Sequence, residues 1–158
     1  MQFINTHCHI HDSEFALRYE QTQSQVLDQA RESGVIGFVC VGTDLKSSNE
    51  AVVFAQNNLD CYASVSLHPH EADKMSLAEI TESLDSLENI LNSQKKHIVA
   101  IGECGLDYYY HENTEVKDKQ KFLLTGLIKL AVKYQLPLIL HIRNSKQCTE
   151  FEVGDAFE

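Results

Sequence analysis

A chain of 158 residues with 43% hydrophobic content is long enough for one domain with a real core. Its formal charge of −10 excludes broad, sequence-independent binding to a nucleic-acid duplex, which works through many Lys and Arg contacts to phosphate. A phosphate-bearing substrate stays open, because bound divalent cations would invert the local field. No apolar run approaches the roughly 20 residues of a membrane span, and Met1-Gln2-Phe3-Ile4-Asn5 has neither the basic nor the apolar segment of a secretory leader. The cysteines at 8, 40, 61, 104 and 148 form no C-x-x-C pair, which suits reduced thiols in a cytoplasmic protein.

Apolar strands alternate with amphipathic helices along the chain. Residues 2–7 read as a first strand and 14–33 as a helix, stopped by Gly34 in the position of a left-handed cap. The continuous apolar run 35–41 suits a strand buried on both faces. Ser47 or Ser48 can cap a helix over about 48–58, and 61–67 is a third strand. Leu77, Ile80, Leu84, Leu87 and Leu91 recur at steps of three and four, on one face of a long helix. A fourth strand at 97–103 precedes a helix over about 115–134, marked by Phe122, Leu123, Leu127, Leu130, Ala131 and Tyr134. Pro137 ends that run, and 138–142 is a fifth strand.

Five βα units imply a parallel sheet with right-handed crossovers, either doubly wound or a TIM-type (β/α)8 barrel. The polar residues favour the barrel. His7 and His9, His68, Glu103 and His141 each fall at the C-terminal end of a different expected strand. A barrel brings those ends to one mouth, whereas an open sheet spreads them along an edge. A whole barrel takes about 250 residues, so the expected domain, 1–158, is one truncated to about five βα units. The polar tail over 144–158 is expected to be irregular or helical.

In His7-Cys8-His9 the two imidazoles are two residues apart in a strand, and so share a face and can chelate one cation. Asp12 could orient one of these rings, while His11 falls in the loop beyond. Glu103 stands at a strand end between Gly102 and Gly105, where backbone and ligand can approach closely, and its two oxygens suit it to bridge two metals. Asp107 reads as a loop brace. His141 ends an apolar strand, where a partnerless imidazole is costly to bury, and Arg143 carries a planar fork that suits phosphate. His68 and His70, around Pro69, lie in the loop after strand three and can contact the leaving group or substrate. Each piece alone also has a bland reading: surface or core histidines, a salt-bridged carboxylate, an exposed Arg. The run Tyr108-Tyr109-Tyr110 suits packing more than base stacking.

Taken together and in order, Thr6-His7-Cys8-His9, Leu67-His68-Pro69-His70, Ile101-Gly102-Glu103-Cys104-Gly105-Leu106-Asp107-Tyr108, Gln120 through Ala131, and Pro137 through Arg143 resemble the TatD family of metal-dependent hydrolases over about residues 1–145. The resemblance implies a (β/α)8 barrel with two divalent metal ions, acting on phosphodiester bonds as a DNase on single strands or ends. By that likeness His7 and His9 hold one metal, Glu103 is catalytic and bridges, and His141 holds the second. His68, His70 and Arg143 meet the substrate. The family also uses a histidine after strand six and an aspartate after strand eight; neither has a counterpart here, and Asp155 in the polar tail does not supply one. Mixed His and carboxylate donors accept Mg, Mn or Zn. Three alternatives stay open: a non-catalytic metal-binding remnant, a partner subunit whose edges another chain closes, and a hydrolase of the same superfamily acting on amides or esters.

Overall fold

The computed structural model describes residues 1–110 and 113–146. Its strands are β1 (Phe3–Cys8), β2 (Val35–Val41), β3 (Cys61–Val65), β4 (Ile98–Asp107) and β5 (Leu138–Arg143). The helices are α1 (Phe15–Tyr19), α2 (Gln23–Glu32), α3 (Leu45–Asn57), α4 (Pro69–Lys74), α5 (Leu77–Gln94) and α6 (Thr114–Tyr134). From residue 147 on, the expected tail lies outside the described residues.

The strands are ordered β1-β2-β3-β4-β5 and every neighbouring pair is parallel. A doubly wound sheet reverses direction at a switch point; this one never does, which is the winding of a barrel. Burial follows position in the sheet. The middle strand β3 is buried at four of its five positions. In β1, Phe3 and Ile4 are 50% and 63% exposed, and in β5 Leu140 is 56% exposed. Helices α3, α5 and α6 cover the sheet with Ala51, Val52, Ile80, Leu87, Leu91, Leu123 and Leu127, all buried in one apolar cluster with Phe38, Cys40 and Val65. Each fully buried Leu or Ile side chain contributes about 1.5–3 kcal/mol. Phe122, expected on the buried stripe of α6, is instead 43% exposed.

Three local expectations are corrected. The single helix over 14–33 is two helices: Glu20 adopts a left-handed conformation at φ 54°, and Thr22 opens α2 with a capping box to Gln25. The cap of α3 is Asp44, whose carboxylate accepts from the Ser47 N–H; Ser48 is buried and donates its hydroxyl to the Ser66 carbonyl instead. The segment after β3, read as a loop, contains the short helix α4 with Pro69 at its first turn. Gly34, as expected, takes a positive φ of 96° after α2.

Strand β4 runs four residues past its expected end, to Asp107. Its glycines make this extension possible. A Cβ on Gly102 would lie 2.5 Å from the Ile139 Cβ, and one on Gly105 would collide with the His141 carbonyl. Close approach of β5, rather than of a ligand, is therefore what these glycines allow. It sets Gly105 in register with His141 and Asp107 with Arg143.

Candidate metal centre at the strand ends

β1, β4 and β5 deliver His7, Glu103 and His141 to one mouth, and the segment after β3 adds His68. His7 Nε2 lies 3.5 Å from Glu103 Oε2, and the His7 and His9 rings are 5.2 Å apart. On the other side Glu103 Oε1 is 3.0 Å from His141 Nδ1. Two donor groups result. His7, His9 and Glu103 offer ligand atoms within 4.8 Å of one another, and so do His68, Glu103 and His141. Glu103 belongs to both. Its half-buried side chain, 16% exposed, sits between the exposed imidazoles of His7, in β1, and His9, just past it, and the half-buried ones opposite.

Asp107 organises the second group. It is almost fully buried, and its Oδ2 accepts from His70 Nε2 at 2.9 Å and from His141 Nε2 at 3.0 Å. Its Oδ1 accepts from the Tyr109 N–H at 3.0 Å. Burial raises its pKa, but the hydrogen bonds from His141 and the Tyr109 N–H outweigh that effect and hold it below the usual carboxylate range. A carboxylate on Nε2 fixes the His141 ring with Nδ1 turned toward Glu103. Gln120 braces Asp107 in turn. Its amide oxygen accepts from the Asp107 N–H at 2.8 Å, and its amide nitrogen donates to the Asp107 carbonyl and to Asp73. The loop-bracing role expected for Asp107 is thus one function of a larger hub. Gln120 was not recognised by its chemistry, although a visible signal exists: a polar residue three positions before Leu123, on the buried face of α6.

His68 caps α4, with its Nδ1 accepting from the His70 N–H at 3.3 Å. A neutral imidazole that accepts through Nδ1 carries its proton on Nε2. Burial, reinforced by the neighbouring His141 and His70, pushes the His68 pKa down to about 4, so the ring is neutral at pH 7. The His68 ring lies 4.7 Å from that of His141, within the donor group it forms with Glu103. His70 lies at the mouth with Nε2 on Asp107, and Arg143 stacks on Tyr109 with Cζ 3.7 Å from the ring centre.

Of two further expectations, that for Asp12 fails and that for His11, a loop residue beyond β1, holds. Asp12 does not orient a histidine; its carboxylate accepts from the Glu14 N–H and pairs with Arg18 at 3.1 Å, fixing the turn into α1. His11 is buried, 4% exposed, and contacts the Ser47 hydroxyl at 3.2 Å, outside both donor groups.

No helix among the described residues is long and apolar enough to cross a membrane. Comparison with known proteins agrees with the geometry. The family model for TatD related DNase matches residues 4–153. The 3'-5' ssDNA/RNA exonuclease TatD of Pantoea ananatis is 31% identical over 131 residues, 82% of this chain and 47% of that protein. The uncharacterized metal-dependent hydrolase YjjV of Escherichia coli K12 is 32% identical over 91% of this chain and 52% of its own length. The crystal structure of that TatD homolog superposes with a TM-score of 0.72, covering 92% of this chain and 51% of the other. A Saccharomyces cerevisiae amidohydrolase, 21% identical with the same TM-score, shares the fold. The chain spans about half the length of the relatives it matches. With its strand-end histidines, its shared glutamate and a family match over nearly the whole sequence, the chain belongs to the TatD-related DNase family of metal-dependent hydrolases.

Proposed function

We propose that this chain carries the metal-holding half of a phosphodiesterase acting on single-stranded nucleic acid, within a single (β/α)8 barrel domain of a cytoplasmic enzyme. The observation that carries the reading is the membership of Glu103 in both donor groups. A carboxylate has two oxygens and can join two cations, with His7 and His9 on one side and His141 on the other. Histidine nitrogen and carboxylate oxygen donors suit Mn or Zn, and Mg through the carboxylate. Bound divalent cations would supply an activated water at neutral pH and stabilise the attacking and leaving oxygens of an in-line displacement.

The chain's own groups do the rest. Asp107 holds the His141 ring so that Nδ1 faces the centre. His68, with its neutral ring beside Glu103 and His141, meets the substrate at the centre. His70 and Arg143 line the substrate's path, Arg143 with a fork that matches phosphate. The naming of the Pantoea relative as an ssDNA/RNA exonuclease supports the phosphodiester over an amide or ester substrate.

The test joins calorimetric titration with Mn²⁺ to hydrolysis of a 3'-labelled single-stranded oligonucleotide in Mg²⁺ or Mn²⁺. Two binding events with turnover abolished in His9→Ala support the full reading. Binding without turnover makes the chain a metal-holding half whose chemistry needs further strands. Absence of Mn²⁺ binding overturns the proposal.

A further inference from the structure

Tyr108, Tyr109 and Tyr110 leave the end of β4 in succession, and the fold separates them. Tyr108 is fully buried and packs with Leu106, Leu124 and Ile142, as the sequence suggested. Tyr109 is half-buried and Tyr110 is 59% exposed. Their rings meet edge to face at 4.9 Å. Two cations gather on them. Arg143 Cζ is 3.7 Å from the Tyr109 ring centre and 5.2 Å from that of Tyr110, and Lys146 Nζ is 4.9 Å and 5.6 Å from the same two. Among the described residues neither cation makes an ion pair with a carboxylate. The ledge is continuous with the centre: the Tyr110 ring lies 5.8 Å from that of His70, which bonds Asp107, which bonds His141.

The opposite side of the mouth has the reverse character. A cleft of about 630 Å³ beside His9 is lined by Asp12, Glu14, Asp44 and Glu50, against the two cations Arg18 and Lys46. A polyanion approaching the centre is repelled there and attracted across the ledge.

We propose that the Tyr109–Tyr110–Arg143–Lys146 ledge is a nucleotide subsite, where a base stacks on the exposed tyrosine and guanidinium faces while Lys146 meets the flanking phosphate. A single strand then leaves the centre over β4 and β5, away from the acidic cleft. Stacking on aromatic and Arg surfaces with a lysine tracking the backbone is how single strands are held without reading sequence. The inference rests on the phosphodiesterase reading for the identity of its ligand, but its test reads binding and needs no turnover.

The experiment is fluorescence anisotropy of the whole chain with a labelled short oligothymidylate, in EDTA. Tyr110→Leu is expected to weaken binding about tenfold, the scale of one lost base stack, with Tyr110→Phe close to wild type. Lys146→Gln should reduce the slope of log affinity against log salt by about 0.7, one phosphate contact in a single strand. Glu50→Gln, across the mouth, should leave affinity unchanged or slightly raised. Wild-type affinity in Tyr110→Leu overturns the subsite, as does failure of the wild-type chain to bind the oligonucleotide. Ledge-dependent binding in a chain that takes up no Mn²⁺ would retain the subsite and overturn the proposed metal centre instead.

Discussion

The two halves of the centre are built differently. On the β4–β5 side, Glu103, His141, Asp107 and His70 form a connected set of contacts between 2.9 and 3.0 Å, with Gln120 supporting Asp107 from α6. On the β1 side, His7 is 42% exposed and its contact to Glu103 is longer, at 3.5 Å. The first half is organised by the protein's own hydrogen bonds. The second owes its placement to strand geometry alone, and the difference teaches where a cation would do the organising. A ligand ring already held by a buried carboxylate loses little freedom on binding; an exposed pair such as His7 and His9 loses more.

The largest expected effect comes from the residue the halves share. Glu103→Gln should weaken Mn²⁺ binding at both positions by more than about 100-fold, beyond what loss of a supporting partner costs; titration calorimetry showing one normal site would separate the halves entirely. Asp107→Asn should leave the β1 side alone and weaken the second binding event by about 10–100-fold, because the His141 ring loses the acceptor that orients it. The measurement is the same titration, and a change confined to the first event would reverse the assignment. His9→Ala should remove the first event and spare the second, since no contact among the described residues ties His9 to Asp107 or His141.

A separate effect, read in stability instead of metal affinity, is common to both sides. Each half keeps one neutral imidazole, the buried His11 near β1 and the half-buried His68 near β4–β5, both pushed chiefly by desolvation from an ordinary value of 6.5 down to about 4. As pH falls, the unfolded chain takes up these protons near 6.5 and the native chain only near 4. Between those values the unfolded state binds more protons, so stability is full above pH 6.5 and declines on acidification toward 4. Urea unfolding in metal-free buffer at pH 7 and pH 4.5 checks this, and His11→Gln should flatten the dependence by at most about one proton. An unchanged midpoint across that range would show that neither imidazole is held neutral.

Much of this was legible before any coordinates. The strands and long helices announce themselves through continuous apolar runs and steps of three and four, and all five strands begin within a residue of where those runs begin. The candidate donors were legible because His7, Glu103 and His141 interrupt apolar strands at their ends, where a buried polar group needs a reason. Less legible were the features set by single backbone conformations, such as the left-handed Glu20 that breaks the first helical stretch, or the cap that moves from Ser47 to Asp44. These depend on which of several adjacent polar side chains wins one N–H, a choice composition does not resolve.

What the sequence by itself determined is the order of elements and the list of residues with metal-binding chemistry, because periodicity and side-chain type are local properties. What only the tertiary structure decided is which of them meet. The unreversed parallel order converts separation along the chain into proximity, so that Glu103 joins two groups and Asp107 fixes rings contributed from α4 and β5. Tyr108 and Tyr110, identical in sequence terms, become core and surface because the chain, just past the end of β4 at Asp107, places one ring in the apolar cluster of Leu106, Leu124 and Ile142 and leaves the other outside it.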